Sequence, residues 1–169
     1  MQHDLLKRVI LEQHEVIRRA EIIPRTITLF PDVNQVVTGL RRAGKSTLLY
    51  GLVKRHVANG IDWNRIIYIN FEDERLTEMT AEDLNDILAV QSEMSDQRGY
   101  FFFDEIQNIP GWEKFARRMA DRHESVMITG SNARMLSREI GSTLGGRYLE
   151  KHIWPYSFEE YLNATVTGH

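Results

Sequence analysis

Gly39-Leu40-Arg41-Arg42-Ala43-Gly44-Lys45-Ser46 fits the pattern G-x-x-x-x-G-K-[ST] from end to end. Glycines at these positions let a loop curl until its backbone N–H groups point inward at an anion. A helix that begins as the loop ends adds the positive end of its dipole. Lys45 then reaches β- and γ-phosphate oxygens as a point charge, and the Ser46 hydroxyl takes a place on Mg²⁺. Thr47 adds a hydroxyl or amide near the α-phosphate. The candidate nucleotide-binding residues are therefore Gly39, Arg42, Ala43, Gly44, Lys45, Ser46 and Thr47. Arg41 and Arg42 read equally well as solvated loop charges.

The flanking residues supply the context this loop needs. Asn34-Gln35-Val36-Val37-Thr38 is a short β-branched run that suits a buried strand. Behind the loop, Leu48, Leu49, Leu52, Val53 and Val57 recur at helical spacing, and Asn59-Gly60 closes the helix.

A second element bears on chemistry. Tyr100-Phe101-Phe102-Phe103-Asp104-Glu105 is an apolar run that ends in two acids. A buried strand carries the aromatics and delivers both carboxylates to its C-terminal end, where ligands sit in open α/β sheets. Asp104 is the expected Mg²⁺ residue, acting through water, because Mg²⁺ keeps several waters and uses few carboxylates. Glu105 is expected to accept a proton from an attacking water or to orient it.

Composition narrows the class. The chain has 169 residues, one domain by length, and no cysteine, so neither disulfides nor a thiolate metal site is available. Met1-Gln2-His3-Asp4 does not open a signal peptide, and no apolar stretch approaches a membrane span. A cytoplasmic location is the expectation. Net charge is −3. Residues 1–60 hold 10 basic and 5 acidic side chains, whereas residues 61–113 hold 3 and 13. Part of the first excess belongs to the phosphate loop, which leaves no clear basic stripe, so nucleic acid is not an expected partner. His3, His14, His56, His123, His152 and His169 show no metal-ligand spacing and read as surface or packing residues.

The remaining elements follow from periodicity. Leu5, Leu6, Val9, Ile10, Val16, Ile17 and Ala20 predict an N-terminal helix over residues 1–21, packed on the core or docking a partner. Arg65 to Phe71 predicts a second strand, and Thr80-Ala81-Glu82-Asp83 a capping box with Asp83 in the place of Glu or Gln. Pro110-Gly111-Trp112 opens a helix that runs to about His123. Ser125 to Gly130 predicts a fourth strand, Ser131-Asn132 a cap on a short helix, Arg147 to Ile153 a fifth strand, and Phe158 to Leu162 a last helix. Alternating strands and helices predict a three-layer α/β/α fold with a mostly parallel sheet.

Taken in order, Thr38 to Thr47, Tyr68-Ile69-Asn70-Phe71-Glu72-Asp73, Phe103-Asp104-Glu105-Ile106-Gln107-Asn108, Ile128-Thr129-Gly130-Ser131-Asn132-Ala133, Gly146-Arg147-Tyr148 and Pro155-Tyr156-Ser157-Phe158-Glu159-Glu160-Tyr161 resemble the prokaryotic AAA+-like predicted ATPases. The resemblance runs from about Ile22 to Leu162. It implies a P-loop core over residues 22–169 with five strands in the order 5-1-4-3-2. It also implies ATP as the nucleotide and Mg²⁺-dependent hydrolysis. In that order a polar residue at the end of the fourth strand faces the γ-phosphate. Asn132 is the choice and Ser131 the reserve, although both also suit a helix N-cap.

Arg147 resembles the Gly-Arg arginine finger of AAA+ proteins, which acts on a neighbouring subunit's nucleotide and so implies a homo-oligomer. Its alternative is a strand-end salt bridge, and Arg134 and Arg138 compete for the finger role. Asn70 is expected either to hold Glu105 in an inactive pose or to cap a turn. Family members are usually longer, with a C-terminal domain, and typical AAA+ proteins carry a helical lid with a second sensor arginine. This chain shows none of these, so it reads as the ATPase domain alone. Two other functions stay open: a nucleotide-gated switch or scaffold with an unidentified protein partner, and a small-molecule P-loop kinase. The adjacent Asp104-Glu105 pair argues against the kinase. A GTPase is disfavoured, since no N-K-x-D motif is present.

Overall fold

The computed structural model describes residues 3–22, 29–40, 43–131 and 144–154. Five parallel strands form one sheet: β1 (Gln35–Thr38), β2 (Ile66–Asn70), β3 (Tyr100–Asp104), β4 (Ser125–Gly130) and β5 (Leu149–His152). Their spatial order is β2-β3-β4-β1-β5, which is the expected 5-1-4-3-2 read from the other edge. Among the described residues four α-helices accompany them: α1 (His3–Arg19), α2 (Lys45–Ala58), α3 (Asn85–Met94) and α4 (Trp112–Asp121). The predicted helix at Phe158 to Leu162 and the short helix after Asn132 lie outside the described residues.

The layering follows from the two-residue alternation of strands. Val36, Ile67, Ile69, Phe101, Phe103, Val126 and Ile128 face one way. They pack on Ile87 and Val90 of α3, on Phe115, Ala116 and Met119 of α4, and on Leu6, Val9 and Ile10 of α1. Their sequence neighbours Val37, Ile66, Tyr68, Phe102 and Met127 face the other way, onto Leu49, Leu52 and Val53 of α2 and Ile17 of α1. Strands buried on both faces read as continuous apolar runs, which is why residues 66–69 and 100–103 carry so little polarity. At about 25 cal/mol per Å² of apolar surface, each such aromatic contributes on the order of 2–3 kcal/mol of burial.

Local signals account for several boundaries. Thr80 and Asp83 do form a reciprocal cap: the Thr80 N–H donates to Asp83 Oδ2 at 2.9 Å and the Asp83 N–H to Thr80 Oγ1 at 3.3 Å. A 3-10 turn, Glu82–Leu84, comes between this cap and α3, so the helix begins later than the cap alone implies. Asn59 ends α2, with Gly60 at φ 99° in the left-handed region that glycine tolerates.

Two histidines are structural. His14 Nε2 meets the Ile66 carbonyl at 2.7 Å and its ring packs on Trp63. His56 packs on Tyr100 at 4.5 Å, and its buried Nε2 has no hydrogen-bond partner among the described residues. Burial, aided by the nearby charges of Arg18 and Arg55 respectively, pushes both below the usual imidazole value. The unfolded chain titrates near 6.5, so below that pH it binds protons that the native rings refuse. Stability is therefore expected to fall as pH drops below about 6.5. Urea titrations at pH 7.5 and 5.5 check this, and the double variant His14→Gln, His56→Phe should flatten the difference.

Candidate nucleotide site

Parallel register brings the C-terminal strand ends to one edge. Thr38 pairs with Gly130, Phe103 with Ile128, and Asn70 with Asp104. Everything that follows β1, β3 and β4 therefore leaves the sheet side by side. Gly39 follows β1 directly, and a Cβ there would lie 2.6 Å from the Ile153 carbonyl oxygen, so only glycine fits. Gly44 sits at φ 93°, ψ 20°, at the N-terminal cap of α2. A left-handed residue at that point turns the loop into the helix, and a side chain would strain it.

Lys45 is buried, at 4% exposure. Its ammonium donates to the carbonyls of Gly39 at 2.8 Å and Leu40 at 2.9 Å, and to Ser131 Oγ at 3.1 Å. All three of its donors are thereby used. Glu105 Oε1 lies 3.5 Å from the same nitrogen. The Ser46 hydroxyl donates to Asp104 Oδ2 at 2.6 Å, joining the first turn of α2 to the tip of β3.

Asp104 is held by two further hydroxyls. Tyr68 donates to Oδ2 and Thr129 to Oδ1, each at 2.5 Å. The register explains both. Tyr68 pairs with Phe102, and Phe102 and Asp104 share a face, so the phenol reaches diagonally to the carboxylate. Thr129 stands one step beyond the Phe103–Ile128 pair, level with Asp104. Complete burial and the Asp104 charge push the Tyr68 phenol well above its usual value, so it stays a donor at working pH.

Glu105 adopts φ 56°, ψ 46°, the left-handed region. For a residue with a side chain this costs on the order of 1–3 kcal/mol, and such strain concentrates at functional sites. Its N–H donates to Thr129 Oγ1 at 2.9 Å, and its carbonyl accepts from Asn108 Nδ2 at 3.0 Å. Its carboxylate accepts from Ser131 Oγ at 2.7 and 2.8 Å and from Gln107 Nε2 at 2.6 Å.

The structure brings Gly39, Ala43, Gly44, Lys45, Ser46, Asp104, Glu105 and Ser131 together, with Thr47 one residue further along α2. Arg42, Asn132, Arg134 and Arg138 lie outside the described residues. Arg147 Nε donates to Asp121 Oδ1 at 2.5 Å, at the end of α4, which is the salt-bridge alternative weighed for it. Asn70 caps a turn: its side chain accepts from the Glu72 N–H at 3.0 Å. It is Gln107 and Ser131 that hold Glu105 in this structure. Tyr68, Thr129 and Gln107 carry no assignment from sequence. Strand register, once known, identifies the first two.

The residues fit a magnesium ion. Ser46 and Asp104 present hard oxygen donors 2.6 Å apart. Two buried carboxylates here face one buried ammonium, an imbalance that a cation relieves.

A glycine loop between a buried strand and a helix, facing two strand-end acids, defines a P-loop nucleoside triphosphatase core. Residues 34–162 match the AAA domain family, and the chain belongs to that family. It is 38% identical over 160 residues to the uncharacterized protein MJ1544 of Methanocaldococcus jannaschii, covering 94% of this chain and 35% of that protein. With an uncharacterized protein of Haemophilus influenzae it shares 38% identity over 135 residues, 79% of this chain and 34% of the relative. The chain thus spans about a third of the length of these curated relatives. Its fold is similar to Cdc6p from Pyrobaculum aerophilum (TM-score 0.55, 15% identity, 96% of this chain and 48% of that one). It is similar also to Orc1 from Aeropyrum pernix, solved with DNA (TM-score 0.50, 16% identity, 95% and 48%). These likenesses show an AAA+-like three-layer fold. Among the described residues no helix is long and apolar enough to cross a membrane.

Tyr68→Phe removes one of three hydroxyls on a buried carboxylate. A hydrogen bond to a charged group contributes about 1.5–3 kcal/mol. The variant is expected to lose that much in urea unfolding; an unchanged midpoint would mean that Tyr68 does not hold Asp104.

Proposed function

We propose that this domain binds ATP with Mg²⁺ and hydrolyses it. One observation carries the proposal: the loop residues Lys45 and Ser46 touch Glu105 and Asp104 directly, at 3.5 and 2.6 Å, across 58 residues or more of chain. The loop amides from Gly39 to Thr47 and the start of α2 bind the phosphates. Lys45 exchanges its backbone carbonyl partners for β- and γ-phosphate oxygens. Ser46 and Asp104 hold the metal, which when bound draws charge from the phosphate oxygens.

Glu105 accepts a proton from the attacking water, a role that contributes roughly 10²- to 10⁴-fold in rate. Tyr68 and Thr129 keep Asp104 aligned. The family resemblance adds two further roles to this reading: Asn132 as the γ-phosphate sensor, and Arg147 as a residue that leaves Asp121 to complete a neighbouring copy's site. The adenine base and the homo-oligomer belong to the same proposal.

A nucleotide-gated switch with negligible turnover is favoured by a different observation. Every donor of Lys45 is engaged, and both oxygens of Glu105 are held by Ser131. Nucleotide phosphates that recruit Lys45 must break its contacts with the loop carbonyls and with Ser131, which suits signalling as well as catalysis.

Phosphate release and equilibrium binding, measured side by side, separate the two. Glu105→Gln is expected to bind Mg-ATP within about threefold of the parent and to lose at least about a hundredfold in turnover. Lys45→Ala is expected to lose binding itself. If Glu105→Gln hydrolyses ATP at the parental rate, the role assigned to Glu105 is wrong. A parent that binds but never turns over leaves the switch.

A further inference from the structure

Gln107 has no part in the chemistry described so far. It lies in the 3-10 turn Ile106–Asn108, just beyond Glu105. Its side-chain nitrogen donates to Glu105 Oε2 at 2.6 Å. An ionised carboxylate only accepts, so the orientation of the amide is fixed: nitrogen toward Glu105, oxygen elsewhere. That oxygen is buried and has no hydrogen-bond partner among the described residues.

A buried acceptor without a donor costs about 1–3 kcal/mol, and native proteins rarely leave one unanswered. The oxygen is closed off from water in this arrangement, so its partner can arrive only when the site opens around bound nucleotide. Standard bond lengths place the two heteroatoms of a carboxamide roughly 2.3 Å apart. The orphan oxygen therefore lies within about 5 Å of the Glu105 carboxylate, a separation that a single water bridges with two ordinary hydrogen bonds once the rearrangement that nucleotide requires admits it.

We propose that Gln107 is a positioning residue for the hydrolytic water. The inference rests on the hydrolase reading above. The Gln107 N–H holds the Glu105 carboxylate in place. Its carbonyl oxygen accepts one hydrogen of the water, while the other hydrogen points at Glu105. With both hydrogens directed at acceptors, a lone pair of the water oxygen is left to face the γ-phosphorus. As the new O–P bond forms, the bond to the bridging oxygen breaks and ADP leaves with that electron pair. One water proton passes to Glu105. The other stays on the transferred oxygen, bonded to Gln107 until phosphate departs. Ser131 donates across both oxygens of the same carboxylate, so a second side chain also holds Glu105.

The test uses Gln107→Met, which keeps the length of the side chain but offers neither donor nor acceptor. Mg-ATP affinity by equilibrium titration is expected to stay within twofold of the parent, while kcat falls about tenfold or more, part of what a positioned base contributes. In a Glu105→Gln background the same change should cost nothing further, because the two act as one unit. A hydrolysing parent whose Gln107→Met variant keeps kcat within twofold overturns the inference alone. A full additional loss in the Glu105→Gln background overturns it too. If the parent binds ATP without ever releasing phosphate, the hydrolase reading fails and the inference falls with it. Should Gln107→Met lose nucleotide binding, Gln107→Glu takes its place, with the same expected fall in kcat, because it keeps an acceptor but repels Glu105.

Discussion

One buried ammonium and two buried carboxylates gathered at a single edge of the sheet are the constraint on which the rest of this structure turns. Lys45, Asp104 and Glu105 are all nearly excluded from solvent, at 4%, 1% and 7% exposure. Leaving any one of them unpaired in that setting costs several kcal/mol. The fold answers with hydroxyls from three elements: Ser46 from α2, Tyr68 from β2 and Thr129 from β4. Ser131 stands between the two signs of charge, accepting from Lys45 and donating to Glu105. A phosphate that draws the ammonium away therefore alters what Glu105 feels, both across their direct 3.5 Å contact and through the Ser131 hydroxyl.

Much of the fold was legible in the sequence because strands buried on both faces leave an unmistakable trace. Ile66 to Ile69 and Phe101 to Phe103 are apolar without interruption; the first became the edge strand β2 and the second the inner strand β3, and both are buried on their two faces. The glycine loop was legible for a different reason: Gly39 and Gly44 occupy positions that a Cβ would obstruct or strain. The strand order came from the family resemblance, since periodicity alone says nothing about which strands are neighbours.

The less legible part of the site depends on register. Nothing local marks Tyr68 or Thr129 as partners of Asp104; that follows only once β2 and β4 are set beside β3. Asn70 shows the same limit from the other side. It is a polar residue at a strand end near the acids, yet its side chain closes the turn to Glu72. Arg147 offered a phosphate ligand by its resemblance to an arginine finger, or a strand-end salt bridge, and within one copy its guanidinium pairs with Asp121 at the end of α4. A guanidinium serves either role equally well, so only position distinguishes them.

The close approach of Gly39 to Ile153 has a mechanical meaning. The Ile153 N–H donates to the Thr38 carbonyl at 2.8 Å, and its own carbonyl fills the space where a side chain on Gly39 would stand. Edge strand and phosphate loop are therefore geared together without an intervening residue. A pull on the chain just past Ile153 is felt at the nucleotide before it is felt in the hydrophobic layers, and a rearrangement of the loop is transmitted outward along the same short path.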